Sequence, residues 1–273
     1  MDPVDAEPDW MLRLSVDDGI ATLTLDRPDK LNAWSWEASR QLGRRADQIR
    51  FDDSVRVVVV RAEGRAFCAG VDLGMPEDRV TGRSPAEKVR NYYEGIRWVH
   101  ERFHAFSDLP QPIVAAVHGY CLGFGFELAL MADIRVASER ARFGELFVKR
   151  GLCSDAPGIG LLAQLVGRER AAELLFTGRV IDAQEAAAIG LVSRVVAHEE
   201  LLPTAMTLAT EIASNPPLAV QRMKHALRTT LDPDWHELGR WVSVNLAELF
   251  RTADHREGVA AFLEKREPRF SGS

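Results

Sequence analysis

The chain has 273 residues, 46% of them hydrophobic, and a formal net charge of −6. That length and apolar content suffice for one large core with at most a small appendage, and they exclude disorder throughout. The acidic balance argues against a protein that tracks nucleic-acid phosphates, while leaving room for a local basic patch that holds a phosphorylated small molecule.

In chain order, Leu12 to Val16 and Ile20 to Leu25 flank Asp17-Asp18-Gly19 and predict an opening β-hairpin. Ser35 is placed to cap a helix running to about Ile49, and Val55 to Val60 then reads as a strand buried on both faces, from its β-branched run. Strand, helix, strand implies a parallel crossover. Ser84-Pro85 opens a second helix to about Phe106, Ile113 to Val117 is another buried strand, Phe124 to Met131 a short helix and Ile134 to Ala137 a strand. The stretch from Ile113 to Ile134 is the longest apolar run, yet His118, Glu127, Asp133 and its glycines make it a poor membrane span, and none is expected. Beyond Ser154 the pattern is helical almost without interruption, over 160–166, 168–176, 182–189, 200–214, 217–229, 235–251 and 254–265. The expected organisation is a βα core over 1–200 and a helical region over 201–273, with no solenoid period and no low-complexity linker.

Three cysteines, Cys68, Cys121 and Cys153, are an odd number without CxxC spacing, which predicts neither a disulfide framework nor a zinc site and fits the cytoplasm. Met1-Asp2-Pro3-Val4-Asp5 is acidic and lacks the basic-then-apolar order of a secretory signal.

Two glycine-bearing loops carry the chemistry, Ala66-Phe67-Cys68-Ala69-Gly70-Val71-Asp72-Leu73 and Gly119-Tyr120-Cys121-Leu122-Gly123-Phe124-Gly125-Phe126-Glu127. Each ends an apolar strand and aims backbone N–H groups outward, so together they can grip one developing oxyanion from two sides. A helix starting at Phe124 leaves that N–H as a first-turn donor at the positive end of the dipole. Glu127, three residues on, shares the helix face beneath it, either as a proton-transfer group or as a buried glutamate satisfied by backbone donors. Other chemistries have weaker support. Gly123-x-Gly125 meets Leu128 where a dinucleotide loop needs its third glycine, and Gly158-Ile159-Gly160 has no preceding strand. Cys68 has no base nearby in sequence to form a thiolate, and His118, alone on its apolar strand, reads as a hydrogen-bonded core residue. His100 and His104 sit at i, i+4 without the glutamate of an HExxH motif, so no metal is expected. Arg27, Lys30, Lys224 and Lys265 read by default as solvated surface charges.

The two loops, with Asp133-Ile134-Arg135, resemble the enoyl-CoA hydratase/isomerase (crotonase) superfamily. The resemblance runs from Leu25-Asp26-Arg27-Pro28-Asp29-Lys30-Leu31-Asn32-Ala33 to Arg256-Glu257-Gly258-Val259-Ala260-Ala261-Phe262-Leu263-Glu264-Lys265-Arg266, nearly the whole chain. It implies an α/β fold, a spiral of ββα turns with a C-terminal helical trimerisation region, assembled as a homotrimer or a dimer of trimers. It implies no tightly bound cofactor and a coenzyme A thioester as substrate. By the same resemblance the Val71 and Phe124 N–H groups form the oxyanion hole. Relatives usually carry glycine at the second position, so the Phe124 ring must turn away or narrow the acyl pocket. Coenzyme A would be held by Lys30, Leu31 and Ala33 near the nucleotide, by Ala69, Gly70 and Asp72 near the adenine and pantetheine, and by Phe262 and Lys265 from a neighbouring subunit. Hydratases of this family use two glutamates. The first matches Glu127, whereas the second falls on Phe147, an acyl-pocket residue without acid-base chemistry, and Glu145 lies two residues out of register for it. Asp155, eight residues beyond Phe147, matches an aspartate of dienoyl-CoA isomerases and of the isomerase of phenylacetate-type ring catabolism. The implied enzyme is an enoyl-CoA isomerase in which Asp155 moves the proton and Glu127 assists or orients. The alternatives are an enoyl-CoA hydratase built on Glu127 and an inactive CoA-binding scaffold.

Overall fold

The computed structural model describes residues 11–72, 97–150, 152–229 and 252–273. Strands β1 (Leu12–Asp17) and β2 (Ile20–Leu25) pair antiparallel, as the alternation predicts. Asp18 and Gly19 join them with φ of 46° and 76°, the left-handed pair that a two-residue hairpin turn demands. Helix α1 (Trp36–Arg50) starts at the expected cap, the Ser35 hydroxyl accepting from the Ala38 N–H at 3.2 Å. Strand β3 (Val57–Ala62) runs parallel to β2.

Helix α2 (97–107) leads to β4 (Ile113–Val117), β5 (Tyr120–Leu122), α3 (Phe124–Leu130), β6 (Ile134–Ser138) and β7 (Arg142–Gly144). Then follow α4 (Ala156–Val166), α5 (Arg168–Thr177), β8 (Ile181–Asp182), α6 (Ala183–Ala188), β9 (Arg194–Val196), α7 (Leu201–Ala213), α8 (Pro217–Thr229) and α9 (Ala253–Glu264). One sheet has the order β1-β2-β3-β4-β6-β9, parallel after its first pair, and a second has the order β5-β7-β8. Strands β4 to β7 therefore alternate between the sheets: β4, β5, α3 and then β6, β7, α4 are two ββα turns of a spiral. The bridge between Cys68 and Cys121 gives the segment after β3 the same place in the turn before. Strands β5, β7, β8 and β9 interrupt what reads as loop or unbroken helix in the sequence, because two or three residues are too short to show an alternation.

The valines of β3 divide the core. Val58 and Val60 face a large cluster with Leu42, Phe67, Phe126 and Phe143, while Val57 and Val59 join Val114 and Ala116 under α7. Helix α7 lies on this face through Leu201, Ala205, Ala209 and Ala213, so the first element past residue 200 is a layer of the core. Small residues at four-residue spacing let it approach the sheet closely. Helix α8 is tied down by charge: Lys224, expected at the surface, is 7% exposed and bonds Asp133 Oδ2 at 3.0 Å and the Gln111 carbonyl at 2.7 Å. Arg228 holds Asp133 Oδ1 at 2.8 Å from the next turn. The expected helix over 235–251 and the first part of that beginning at Ser84 lie outside the described residues. No helix among the described residues is long and apolar enough to cross a membrane.

One buried amide organises the loop after β2. Leu31 and Asn32 both have positive φ, 53° and 54°, a region that asparagine tolerates and leucine rarely adopts. The Asn32 side chain holds them there, accepting from the Arg27 N–H at 2.7 Å and donating to the carbonyls of Glu63 at 2.9 Å and Ala66 at 2.8 Å. Asn32→Ala strips these bonds and orphans buried backbone groups, so urea denaturation should report a loss of about 2–3 kcal/mol.

Candidate active site

The loop over 66–72 is laced between two others. On one side the Cys68 N–H donates to the Tyr120 carbonyl and the Leu122 N–H to the Cys68 carbonyl, both at 2.9 Å. On the other the Trp34 N–H donates to Gly70 O at 2.7 Å and the Asp72 N–H to Trp34 O at 2.8 Å. Backbone alternation then turns the Val71 N–H away from Trp34. Gly123 takes φ 48° and ψ −121°, a conformation a side chain resists, and so starts α3 with the Phe124 N–H beyond the reach of any intrahelical acceptor. Neither the Val71 nor the Phe124 N–H has an acceptor among the described residues. Both residues line one cleft with Gly70, Gly123, Phe147 and Arg150.

The Phe124 ring turns sideways between Phe103, at 5.4 Å between centroids, and Phe147, at 6.0 Å. Phe103 in turn lines a cavity of about 210 Å³ together with His100, His104, Met131, Leu161 and Gln164 among others.

The loop expected to meet coenzyme A is assembled in part. Leu31 accepts from the Ala69 N–H at 3.0 Å, which brings Lys30, Leu31 and Ala33 beside Ala69, Gly70 and Asp72. The Asp72 carboxylate is engaged by Arg27 at 2.7 Å, so Arg27 is a clamp between the two loops rather than a solvated charge. Lys265 is exposed just past α9, with φ 55°. The tail beyond it is held at the N-terminal end of β3, Arg56 donating to the Phe270 carbonyl at 2.7 Å, whereas the loop over 66–72 leaves from the opposite end of that strand. No hydrogen bond or ion pair joins Lys265 to Lys30, Leu31, Ala33, Ala69, Gly70 or Asp72 among the described residues. Phe262 lies on α9, and its side chain is outside the described residues.

Glu127 and Asp155 are brought together, in roles that the sequence leaves open. Asp155 is the N-cap residue of α4, yet its own side chain makes no cap bond. Glu127 does that work instead: Oε1 accepts from the Asp155 N–H at 3.1 Å and Oε2 from the Gly158 N–H at 2.5 Å. One carboxylate from α3 thus serves both positions that a capping box uses at the start of α4. Glu127 is fully buried, so the reading of it as a glutamate satisfied by backbone donors describes its geometry. Burial raises its carboxyl, the Asp155 charge adding to that, while the hydrogen bonds from Ser154, Gly158 and Asp155 favour the anion. Freed from capping, Asp155 reaches across to α2, where Oδ1 lies 2.7 Å from His100 Nε2.

Sequence reasoning missed three participants. His100 was visible only as half of an i, i+4 pair lacking a metal motif, and it lines the cavity as well as holding Asp155. Ser154 Oγ lies 2.9 Å from Glu127 Oε1 and 3.1 Å from Glu145 Oε2. Glu145 thereby meets Glu127 through Ser154, although by register it does not fill the second-glutamate position that Phe147 occupies. It follows β7 directly, is 1% exposed, and its Oε1 has no partner among the described residues. Burial, and then the Glu127 charge, push its carboxyl well above the ordinary range. Cys68 is inert by the same physics, its enclosed thiol pushed up to about 12 by burial.

The sequence profile of the family described as enoyl-CoA hydratase/isomerase matches residues 15–273. The 1,2-epoxyphenylacetyl-CoA isomerase of Escherichia coli K12 is 35% identical over 269 residues, covering 94% of this chain and 97% of that protein. The short-chain-enoyl-CoA hydratase of Clostridium acetobutylicum is 34% identical over 251 residues, covering 90% and 92%. Among solved structures, the enoyl-CoA hydratase of Mycobacterium smegmatis superposes with a TM-score of 0.86 at 34% identity, over 97% of this chain and 99% of that one. With this profile, these relatives and this spiral of ββα turns, the chain belongs to the enoyl-CoA hydratase/isomerase (crotonase) family.

Proposed function

We propose that this enzyme is an enoyl-CoA isomerase that moves a carbon–carbon double bond through a thioester dienolate. The observation that carries this reading is the pairing in one cleft of two backbone donors without acceptors among the described residues, Val71 and Phe124, at the head of the helix whose Glu127 holds the Asp155 N–H and leaves the Asp155 carboxylate unspent on capping. The thioester carbonyl accepts both N–H groups, and its oxygen gains the charge as a C–H proton leaves. Asp155, steadied by His100, takes that proton and returns it to the other end of the conjugated system. Glu127 orients Asp155 through the α4 N-terminus. Phe147 supports proton transfer over hydration, because an apolar ring on the cleft offers an incoming water no partner. A trimer in which Lys265 and Phe262 of one subunit complete the coenzyme A site of the next gives the exposed Lys265 a role there.

Hydration is the second reading, favoured by the name of the Clostridium relative and by a second glutamate, Glu145, beside Glu127. A panel of 2-enoyl and 3-enoyl CoA esters in ¹⁸O-labelled water separates the two. Double-bond migration without label in the product is expected. Rapid hydration of the 2-enoyl esters with no migration in the 3-enoyl esters would sink the isomerase.

A further inference from the structure

The cluster of Glu127, Ser154 and Glu145 contains a proton that the proposed reaction does not use. Ser154 Oγ lies within hydrogen-bond distance of Glu127 Oε1, at 2.9 Å, and of Glu145 Oε2, at 3.1 Å. A hydroxyl has one hydrogen, so it cannot donate to two ionised carboxylates at once. One of the two contacts must run the other way, from a protonated carboxyl to the serine oxygen.

The surroundings decide which glutamate holds the proton. Glu127 accepts two backbone N–H groups at the positive end of α4, as an anion does. Among the described residues Glu145 has no backbone donor, and its buried Oε1 has no partner, which an acid tolerates far better than an ion. Among the described residues the ionisable groups facing Glu145 are Glu127 from α3, Asp155 at the head of α4 and the Cys121 thiol from β5, none of them a cation.

We propose that Glu145 is a neutral carboxylic acid and a positioning residue: its Oε2–H donates to Ser154, Ser154 donates to Glu127, and Glu127 holds the Asp155 and Gly158 N–H groups. This rests on the isomerase reading only in taking Asp155 as the group that moves the proton. The relay fixes where α4 begins, and so where the Asp155 carboxylate stands. Ionising Glu145 sets two carboxylates against a single serine hydrogen and releases that anchor. The sign follows from the upward shift. An acid held neutral by folding contributes stability that is fully present below its ordinary value of 4.5 and is lost as pH rises through its higher folded value.

The test uses the full-length enzyme and two substitutions. Infrared spectroscopy at neutral pH should show a protonated carboxyl band in the wild type that is missing in Glu145→Gln and retained in Glu127→Gln. Glu145→Ala should lower kcat about tenfold with KM little changed. Glu145→Gln should restore that rate, since an amide N–H donates to Ser154 as the acid does, and should flatten the alkaline loss of stability and rate. A band that survives Glu145→Gln, or its absence from the wild type, overturns the proposal. So does a glutamine variant as slow as the alanine one. The infrared result needs no turnover, so it stands or falls independently of whether the enzyme isomerises or hydrates.

Discussion

Asp155→Asn should lower kcat for double-bond migration by roughly 10²–10⁴-fold with little change in KM, the scale at which a positioned general base acts. The substitution is informative because so little else depends on that carboxylate. It makes no cap bond, and α4 is capped by Glu127 through the backbone N–H of residue 155, which asparagine keeps. The amide oxygen can still take the Oδ1 position 2.7 Å from His100 Nε2, so the link to α2 survives as well. What the amide lacks is a basic oxygen to receive a proton from carbon. Folding, coenzyme A binding and the grip of Val71 and Phe124 on the thioester should all be retained, and the loss should fall on the chemical step alone. Single-turnover kinetics with a 3-enoyl ester, beside calorimetric binding of a saturated acyl-CoA, separate these quantities. An asparagine variant that isomerises at the wild-type rate would remove Asp155 from the mechanism. One that loses binding in proportion to rate would make it a ligand contact.

Residues whose role is set by their neighbours in sequence were legible; those set by distant contacts were not. Ser35 caps α1 and Asp18-Gly19 turns the hairpin because both are local events of a few dihedrals. The valines of β3 declared a strand buried on both faces, and both faces are covered. Val71 and Phe124 were identified by resemblance, and the loop geometry that brings them into one cleft depends on Gly70 and Gly123, whose need for unusual backbone angles is visible in the sequence. His100 and Asp155, by contrast, are 55 residues apart and meet only when α2 packs beside the head of α4. Glu145 meets Glu127 only through Ser154, nine residues further on, and it lies just past the end of β7 at Gly144. Past that point side-chain direction follows the turn, which no period of two can forecast. Lys224 misled for a similar reason: an isolated lysine looks solvated until the aspartate that buries it, 91 positions earlier in the chain, is brought across by the fold.

Gly125→Ala, the addition of one methyl, should cost about 1–3 kcal/mol in stability and, through the oxyanion donors, roughly 10²–10³-fold in kcat. Gly125 has an ordinary backbone angle, so alanine meets no conformational objection there, and helix propensity alone would favour it. The objection is steric. A β-carbon at 125 would stand 2.4 Å from the Cys68 carbonyl oxygen and 2.6 Å from the Cys68 β-carbon. Cys68 cannot retreat, since its side chain is fully buried and its N–H and carbonyl are both bound at 2.9 Å, to Tyr120 and Leu122. The strain must therefore be relieved by α3 moving away from the loop over 66–72. That displacement separates the Phe124 N–H at the head of α3 from the Val71 N–H, and an oxyanion placed to meet one loses the other. Stability and rate should consequently fall together, yet by different routes. At a temperature well below the lowered Tm, where the variant is fully folded, the rate deficit should persist. If it vanished there, Phe124 would be held in place by something other than the contact of Gly125 with Cys68, and the pairing of the two glycine loops would be a matter of stability alone.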